Sequence, residues 1–445
     1  MAFQKSRAVF TLLSVAAALA LFLPVRGAAQ TTESADASAS ATNPQVITFM
    51  NEADDRSQRM TTDATGNFYI AASLNDEIHA NSFAVIKYSV DGTLQGVFRF
   101  HVAAGIAADV KVDASGNIYA GGSSGAGGVI VSFSPSGKLR WSHIVGDAVA
   151  AVALDSSGNV YAGGTINGTS MFVSKFTSAE GSLLSQTTHQ GTTAVPCGGG
   201  GLTPGSCLID MRLDHKGNVI AFGYSTNAGP NVDSTTLKID PQGRLLWARN
   251  FTQQPDFNKV PAAGAVDPSD GIYSTGQGVD PFTGQRFPYT VKYDTNGNLI
   301  FALTGAGNGG SSVAVDSDGN ILLSGFTLVE GEDAVTVSKI EPSGKQIFVT
   351  QIPTGGKVVN DSQGNIFVSG EDGSNDYVVN SLSPTGNLLS TFIFATQSVS
   401  GTVSDSIVDP FGNLLVTGYG VPNAGGNDDI VTLKFPSGLT ADENQ

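Results

Sequence analysis

Along most of the chain, apolar residues come in short alternating runs set apart by turn residues, and the runs repeat in groups of four. In each group a β-rich run, such as Asp109-Val-Lys-Val-Asp113, leads into an Asp-x-x-Gly-Asn element. A second run leaves the Asn, as in Ile118-Tyr119 or Val160-Tyr161, and a third often carries a lysine, as in Val335-Thr-Val-Ser-Lys-Ile340. A turn such as Ser134-Pro-Ser-Gly137 then introduces a fourth run, of the type Leu245-Leu-Trp-Ala-Arg249. Alternation sends successive side chains to opposite faces of a strand. Each group therefore predicts an antiparallel four-stranded meander, with strands a to d in chain order.

The groups recur at a fixed spacing. Their turn aspartates are Asp63, Asp113, Asp155, Asp214, Asp316, Asp361 and Asp409, with a degenerate copy, Asp267-Pro-Ser-Asp-Gly, completing the series. Neighbouring aspartates stand 42 to 59 residues apart, the length of one propeller blade. The expected fold is all-β: an eight-bladed β-propeller spanning residues 45–438. Only three strands are available to the last group, which runs out at Phe435-Pro-Ser-Gly438, while Val46-Ile-Thr-Phe49 precedes the first group without partners. The N-terminal run is thus expected to close the ring as strand d of the last blade, removing edges that would invite aggregation.

The repeated turn residues carry structural chemistry. In the a–b turn the Asp can accept hydrogen bonds from turn amides, with Gly and then Asn expected at positive φ. A glycine ends the c–d turn in all eight groups, and in five it follows a Pro by two residues, as a type I turn closing on a left-handed residue requires. Strand b carries Gly122, Gly164, Gly223, Gly276, Gly325, Gly370 and Gly418 at one repeat position, with Ala72 in the first group. A position without a side chain on an inner strand points to close approach of a neighbouring backbone.

On these residues the sequence resembles the SBBP-type bacterial β-propeller repeats, and more loosely the NHL repeats. Residues Gly331-Glu-Asp-Ala-Val-Thr-Val-Ser-Lys-Ile-Glu-Pro-Ser-Gly344 look like that family's strand c and following turn, as do Gly426 to Gly438. Val315-Asp-Ser-Asp-Gly-Asn-Ile-Leu-Leu-Ser-Gly325 looks like its a–b hairpin. The resemblance covers about residues 45–438 and implies an architecture rather than an activity.

The ends and the charge narrow the setting. Lys5 and Arg7 precede an apolar run from Ala8 to Val25, and Gly27-Ala28-Ala29 offers small residues before Gln30. Residues 1–29 are expected to be a cleaved signal peptide, with an uncleaved anchor as the rival. Residues 30–44 read as a flexible Ser/Ala/Thr-rich leader and 439–445 as a polar tail. The protein is then exported, to the periplasm, the cell surface or the medium, without membrane insertion after cleavage. Losing Lys5, Arg7 and Arg26 takes the net charge from −16 to −19. That excludes nucleic acid and anionic membrane as partners, since both need a basic face. A monomer is expected. Cys197 and Cys207 flank a Gly/Pro-rich stretch, which in an exported chain reads as a local disulfide, with a metal pair as the rival.

Candidate chemistry is sparse. No catalytic or cofactor-binding residue is identified: there is no HExxH and no Gly-x-Ser-x-Gly elbow. The five histidines are scattered, with His189 the one to watch. Carboxylates recur in the b–c loops (Asp76, Glu77, Asp233, Asp280, Glu330, Glu332, Glu371, Asp372, Asp428, Asp429). They would suit Ca²⁺, but read better as a solvated acidic rim. Asp316, Asp318 and Asn320 resemble the start of a Ca²⁺ loop without its closing Glu, and read better as a turn. Lys87, Lys175, Lys238, Lys292, Lys339 and Lys434 recur on strand c and are expected to pair locally with carboxylates. Trp141 and Trp247 are expected to pack between blades. The leading functional expectation is a non-enzymatic scaffold that binds a protein, peptide or glycan on the variable b–c and d–a loops. A metal-dependent lyase or lactone hydrolase working in the central funnel is the second reading. A structural envelope protein is the third.

Overall fold

The computed structural model describes residues 30–33, 43–50, 53–75, 81–101, 105–191, 207–226, 232–252, 258–279, 286–304, 310–329, 332–396, 401–421 and 426–438. They form eight antiparallel sheets, seven of them with neighbouring strands joined in chain order, which is an eight-bladed β-propeller. Strand a of each blade is innermost: Arg56–Thr62, Ile106–Val112, Ala148–Leu154, Cys207–Leu213, Asn258–Val266, Ser312–Val315, Lys357–Asn360 and Thr402–Val408. Each of these strands touches the next, and the eighth touches the first. Between blades lie apolar clusters drawn from two neighbouring sheets, such as Tyr69, Phe83 and Val85 against Val110, Ile118 and Val129.

The ring closes as the strand count requires. Gln45–Phe49 pairs antiparallel with Asp429–Phe435, from Gln45 opposite Lys434 to Phe49 opposite Ile430. It supplies the missing outer strand of the eighth blade. Gln30–Glu33 adds a fifth strand to that sheet, with Gln30 opposite Phe49. Those four residues of the expected flexible leader are therefore paired. The segments 1–29 and 439–445 lie outside the described residues.

The turns explain why the repeat conserves its polar residues from blade to blade. Asp113 Oδ1 accepts the amides of Ser115 (2.9 Å) and Asn117 (2.9 Å), while Oδ2 accepts Asn117 Nδ2 (2.9 Å) and the Tyr119 hydroxyl (2.9 Å). Positive φ falls on Gly116 (77°). Among the described residues the turn asparagines are not in that region, contrary to the sequence expectation. Asn is used instead because its side-chain amide reaches back to the Asp. The degenerate fifth turn has the same geometry, with Asp270 at φ 63° in the glycine's place and Asp267 accepting the Ser269 (2.9 Å) and Gly271 (2.7 Å) amides.

The strand-c lysines tie this network to the next blade. Lys175, Lys238, Lys292 and Lys339 pair with Asp155 (3.2 Å), Asp214 (2.9 Å), Asp267 (3.3 Å) and Asp316 (2.9 Å). Three of them also donate to a carbonyl in the following blade's c–d turn, at Pro241, Thr295 and Pro342. Lys434 donates to Val90 across the closure, and Lys87 lies over the Tyr69 ring. The tryptophans act similarly: Trp141 Nε1 donates to Ser178 O (2.9 Å) and Trp247 Nε1 to Thr295 O (3.2 Å), each in the next blade.

Strand a carries a bulge opposite the repeated strand-b glycine. Ala107 faces Gly122 and Asp109 faces Gly121, leaving Ala108 unpaired. The third, fourth, fifth and eighth blades repeat this step. The bulge pushes a strand-a carbonyl onto the glycine: a Cβ on Gly164 would sit 1.9 Å from the Ala148 oxygen, and one on Gly122 1.9 Å from the Ile106 oxygen. Backbone cannot swing aside as a side chain can, so Gly164→Val is expected to cost about 3 kcal/mol or more. Urea denaturation of the variant against wild type measures this. A midpoint within error of wild type would mean that the close approach is not needed.

Candidate functional site

The residue four before each turn aspartate stands on the innermost strand, and in five blades it directly follows the bulge. Around the ring, from the first blade to the eighth, this position holds Arg59, Asp109, Ala151, Asp210, Ala263, Ser312, Lys357 and Asp405. Two residues later on the same strand face stand Thr61, Lys111, Ala153, Arg212, Ala265, Ala314, Val359 and Ile407. The channel between the eight innermost strands holds a cavity of about 580 Å³, lined by residues from every blade. Four cations and three carboxylates gather on its wall. The third, fifth and sixth blades contribute small or apolar residues such as Val152, Ala153, Ala263 and Val313.

The carboxylates are recessed and fully used. Asp109 and Asp210 are buried. Asp109 accepts the amide of Val110 (2.9 Å) with one oxygen and that of Val152, in the next blade, with the other (2.8 Å). Asp210 accepts Met211 N (2.9 Å) and, across the blade boundary, Gly264 N (3.4 Å). Asp405 accepts Ser406 N (2.9 Å) and Met60 N of the first blade (2.9 Å). Each acid thus pins two neighbouring blades through backbone amides, and a Ser312 Oγ bond to Val358 N (3.2 Å) does this job between the sixth and seventh.

The cations lie over these acids. Lys111 Nζ is 2.7 Å from Asp109, and an Arg212 terminal nitrogen is 2.6 Å from Asp210. Arg59 crosses the channel from the first blade to the fourth, donating to Asp210 Oδ1 (3.1 Å) and Ile209 O (3.1 Å) and standing 3.7 Å from Asp109. Burial acts to lower the Arg59 pKa, but the charges of Asp210, Asp109 and Asp405 outweigh it and hold the guanidinium charged. Burial likewise acts to raise the Asp210 pKa; Arg212, Arg59 and the two amides overcome it, so the carboxyl titrates below its usual range. At Asp405 burial wins, and its pKa lies above the usual value despite Lys357 and Arg59.

The residues anticipated from sequence lie elsewhere. Asp316 serves its turn: Oδ1 accepts the Asp318 (3.0 Å) and Asn320 (2.8 Å) amides, and Oδ2 accepts Asn320 Nδ2 (3.0 Å) beside Lys339. Asp233, Asp428 and Asp429 are buried rather than forming a solvated rim. Asp233 lies 3.9 Å from the buried Lys259. Glu371 is exposed and accepts Val403 N (3.2 Å), and Asp372 closes its own short turn by accepting Ser374 N (2.8 Å). Asp76, Glu77, Asp280 and Glu330 fall outside the described residues, as does the side chain of Glu332. Cys207 opens strand a of the fourth blade, while Cys197 lies outside the described residues. His189 is on strand d of the third blade, and burial lowers its pKa. Among the described residues, no three His, Cys, Asp or Glu side chains gather as metal ligands would.

The axial cluster escaped the sequence reading, although a signal for it exists. Asp-x-x-x-Asp ends on a turn aspartate three times, at 109–113, 210–214 and 405–409. Only alignment of the eight groups on their turn aspartates reveals that this column is charged in five of them and faces inward.

No protein-family model matches the sequence, and no curated protein matches it either. Solved structures do match in shape. The Dos1 propeller aligns with a TM-score of 0.59 at 10% identity, over 87% of this chain and 95% of that one. Saccharomyces cerevisiae Sqt1 aligns at 0.58 and 11%, over 87% and 98%. The quinohemoprotein alcohol dehydrogenase of Comamonas testosteroni aligns at 0.55 and 11%, over 88% and 78%. At such identities the likeness is one of fold: this chain is similar to proteins built as β-propellers.

Proposed function

We propose that the protein is an exported, non-enzymatic binding scaffold that receives a protein, peptide or glycan on the face made by its b–c and d–a connections. One observation carries this reading, the contrast between the two faces of the ring. Every a–b connection spans five residues, from 63–67 to 409–413, and is built by the same aspartate network. The b–c connections range from 125–126 to 421–428, and the d–a connections from 145–147 to 191–206. A rigid frame with uniform turns on one side and varied connections on the other concentrates recognition on the varied side. The leader-like residues 1–29 and the Cys197/Cys207 pair, read as a disulfide, support export. The SBBP-like repeat fits the same setting.

The test uses residues 30–445, applied to a glycan array and to immobilised envelope proteins. Saturable binding is expected, and it should disappear when residues 198–206 and 280–285 are replaced by short Gly-Ser turns, with both cysteines kept so that the melting temperature stays unchanged. Absence of saturable binding, or binding indifferent to both replacements, overturns the proposal. Metal content is measured on the same sample before and after chelation. One tightly held divalent ion per chain would shift the reading to a funnel enzyme.

A further inference from the structure

The axial cavity has a chemistry of its own, independent of the loop face. Its three acids are spent on backbone amides and partner cations, with Asp109 and Asp210 withdrawn into the wall, their side chains 1% and 3% exposed. The cations project further. The side chains of Arg59, Lys111 and Arg212 keep 30%, 33% and 46% of their exposure. Lys357, on the seventh blade, influences Asp405 electrostatically but forms no ion pair among the described residues. A lumen with recessed acids and protruding bases presents positive charge to whatever enters it, although the protein as a whole carries −16. Four cations against three carboxylates leave a surplus of one positive charge, which a monoanion balances and a dianion exceeds. The fifth and sixth blades, which precede Lys357 in the ring, line the cavity with the uncharged Ala263, Val313 and Ala314. A volume of about 580 Å³ lies within the usual range for small-molecule sites.

We infer that this cavity is a binding site for a small monocarboxylic acid, whose carboxylate meets the Lys357 ammonium and whose hydrocarbon body lies against the small and apolar residues of the neighbouring fifth and sixth blades. Lys357 is the anchoring residue because it alone among the four cations is not committed to a carboxylate at ion-pair distance. Charge-assisted hydrogen bonds to a carboxylate are the stronger class. Within a channel walled by protein they are screened less than at an open surface.

Isothermal titration with hexanoate, and with hexanamide as its uncharged match, tests the assignment on the mature chain. Hexanoate is expected to bind at one site and about tenfold more tightly than hexanamide. Lys357→Met should erase that preference while leaving hexanamide binding unchanged, because the amide has no charge for the lysine to meet. Ala314→Leu, which fills the apolar side, should weaken both probes. The inference is overturned by the absence of saturable hexanoate binding, by equal affinity for the amide, or by hexanoate binding that Lys357→Met leaves intact. None of these outcomes bears on the loop face, which the Gly-Ser replacements test separately.

Discussion

Deleting residues 45–50 is expected to be the most damaging small change that can be made to this protein. The segment buries Ile47 and Phe49, which are 1% and 3% exposed, against Phe68, Ile70, Leu415 and Ile430. It also joins two blades. Its backbone pairs with Asp429–Phe435 in the eighth, and Gln45 Nε2 donates to Asp91 O (2.9 Å) in a turn of the first. Truncating one buried Ile or Phe to Ala typically costs about 2–5 kcal/mol. Removing both, with the strand that carries them, should exceed about 4 kcal/mol and leave an unpaired inner edge on the eighth blade. Circular dichroism melts of residues 30–445 with 45–50 deleted, against intact 30–445, should show a large fall in midpoint together with concentration-dependent aggregation. Ile47→Ala/Phe49→Ala, which keeps the backbone pairing, should fall in between. Unchanged melting of the truncated chain would refute closure by this strand.

The second large effect is expected at Asp210. Its side chain is 3% exposed and meets Arg212, Arg59 and two amides. Asp210→Ala would leave the Arg59 guanidinium in the channel without its closest carboxylate, and would strand the Gly264 amide. Breaking one side of a buried ion pair costs about 3–5 kcal/mol. Arg59 is 30% exposed and can recover some water contact, so a value near the lower end, about 3 kcal/mol, is expected from denaturant titration. Asp210→Asn should cost less, because its oxygen can still accept one amide.

The same comparison has a pH signature. The folded pKa of Asp210 lies below the ordinary value. An unfolded chain therefore takes up the proton first as pH falls, and stability drops with it. The advantage of wild type over Asp210→Asn should be complete above the unfolded pKa, about 4, and should vanish as pH falls through the folded pKa. An advantage that persists undiminished at acid pH would show that the carboxylate's charge is not what the ring uses. The turn aspartates Asp63, Asp113, Asp155, Asp214, Asp267 and Asp316 are likewise lowered and add to the acid limb of the whole protein in the same direction.

The architecture was legible because a propeller writes its geometry into turns. Asp113, Gly116 and Asn117 do local work within five residues, so eight copies of that work leave eight readable marks. The orphan run Val46–Phe49 was assigned by counting strands, and its register with Asp429–Phe435 bears that out. The strand-b glycines announced a close backbone approach, which the bulge at Ala108 and its counterparts makes concrete. The axial cluster was not read for a physical reason. Arg59 and Asp210 meet across about 150 residues of sequence, and a charge on a strand looks the same whether it faces solvent or an axis. The buried state of Asp233, Asp428 and Asp429 was missed on similar grounds, because loop position suggested water and tertiary packing removed it.

Closure by a strand that precedes all eight groups also sets a timetable. Gln45–Phe49 leaves the ribosome before the first blade, yet its partner Asp429–Phe435 is made hundreds of residues later. Until then Ile47 and Phe49 have no permanent berth, and the first seven blades can assemble only as an open arc. The final lock therefore waits on the synthesis of Asp429–Phe435. Anything that holds the chain extended in the interval, as passage through a translocation channel would, acts before the ring can trap it.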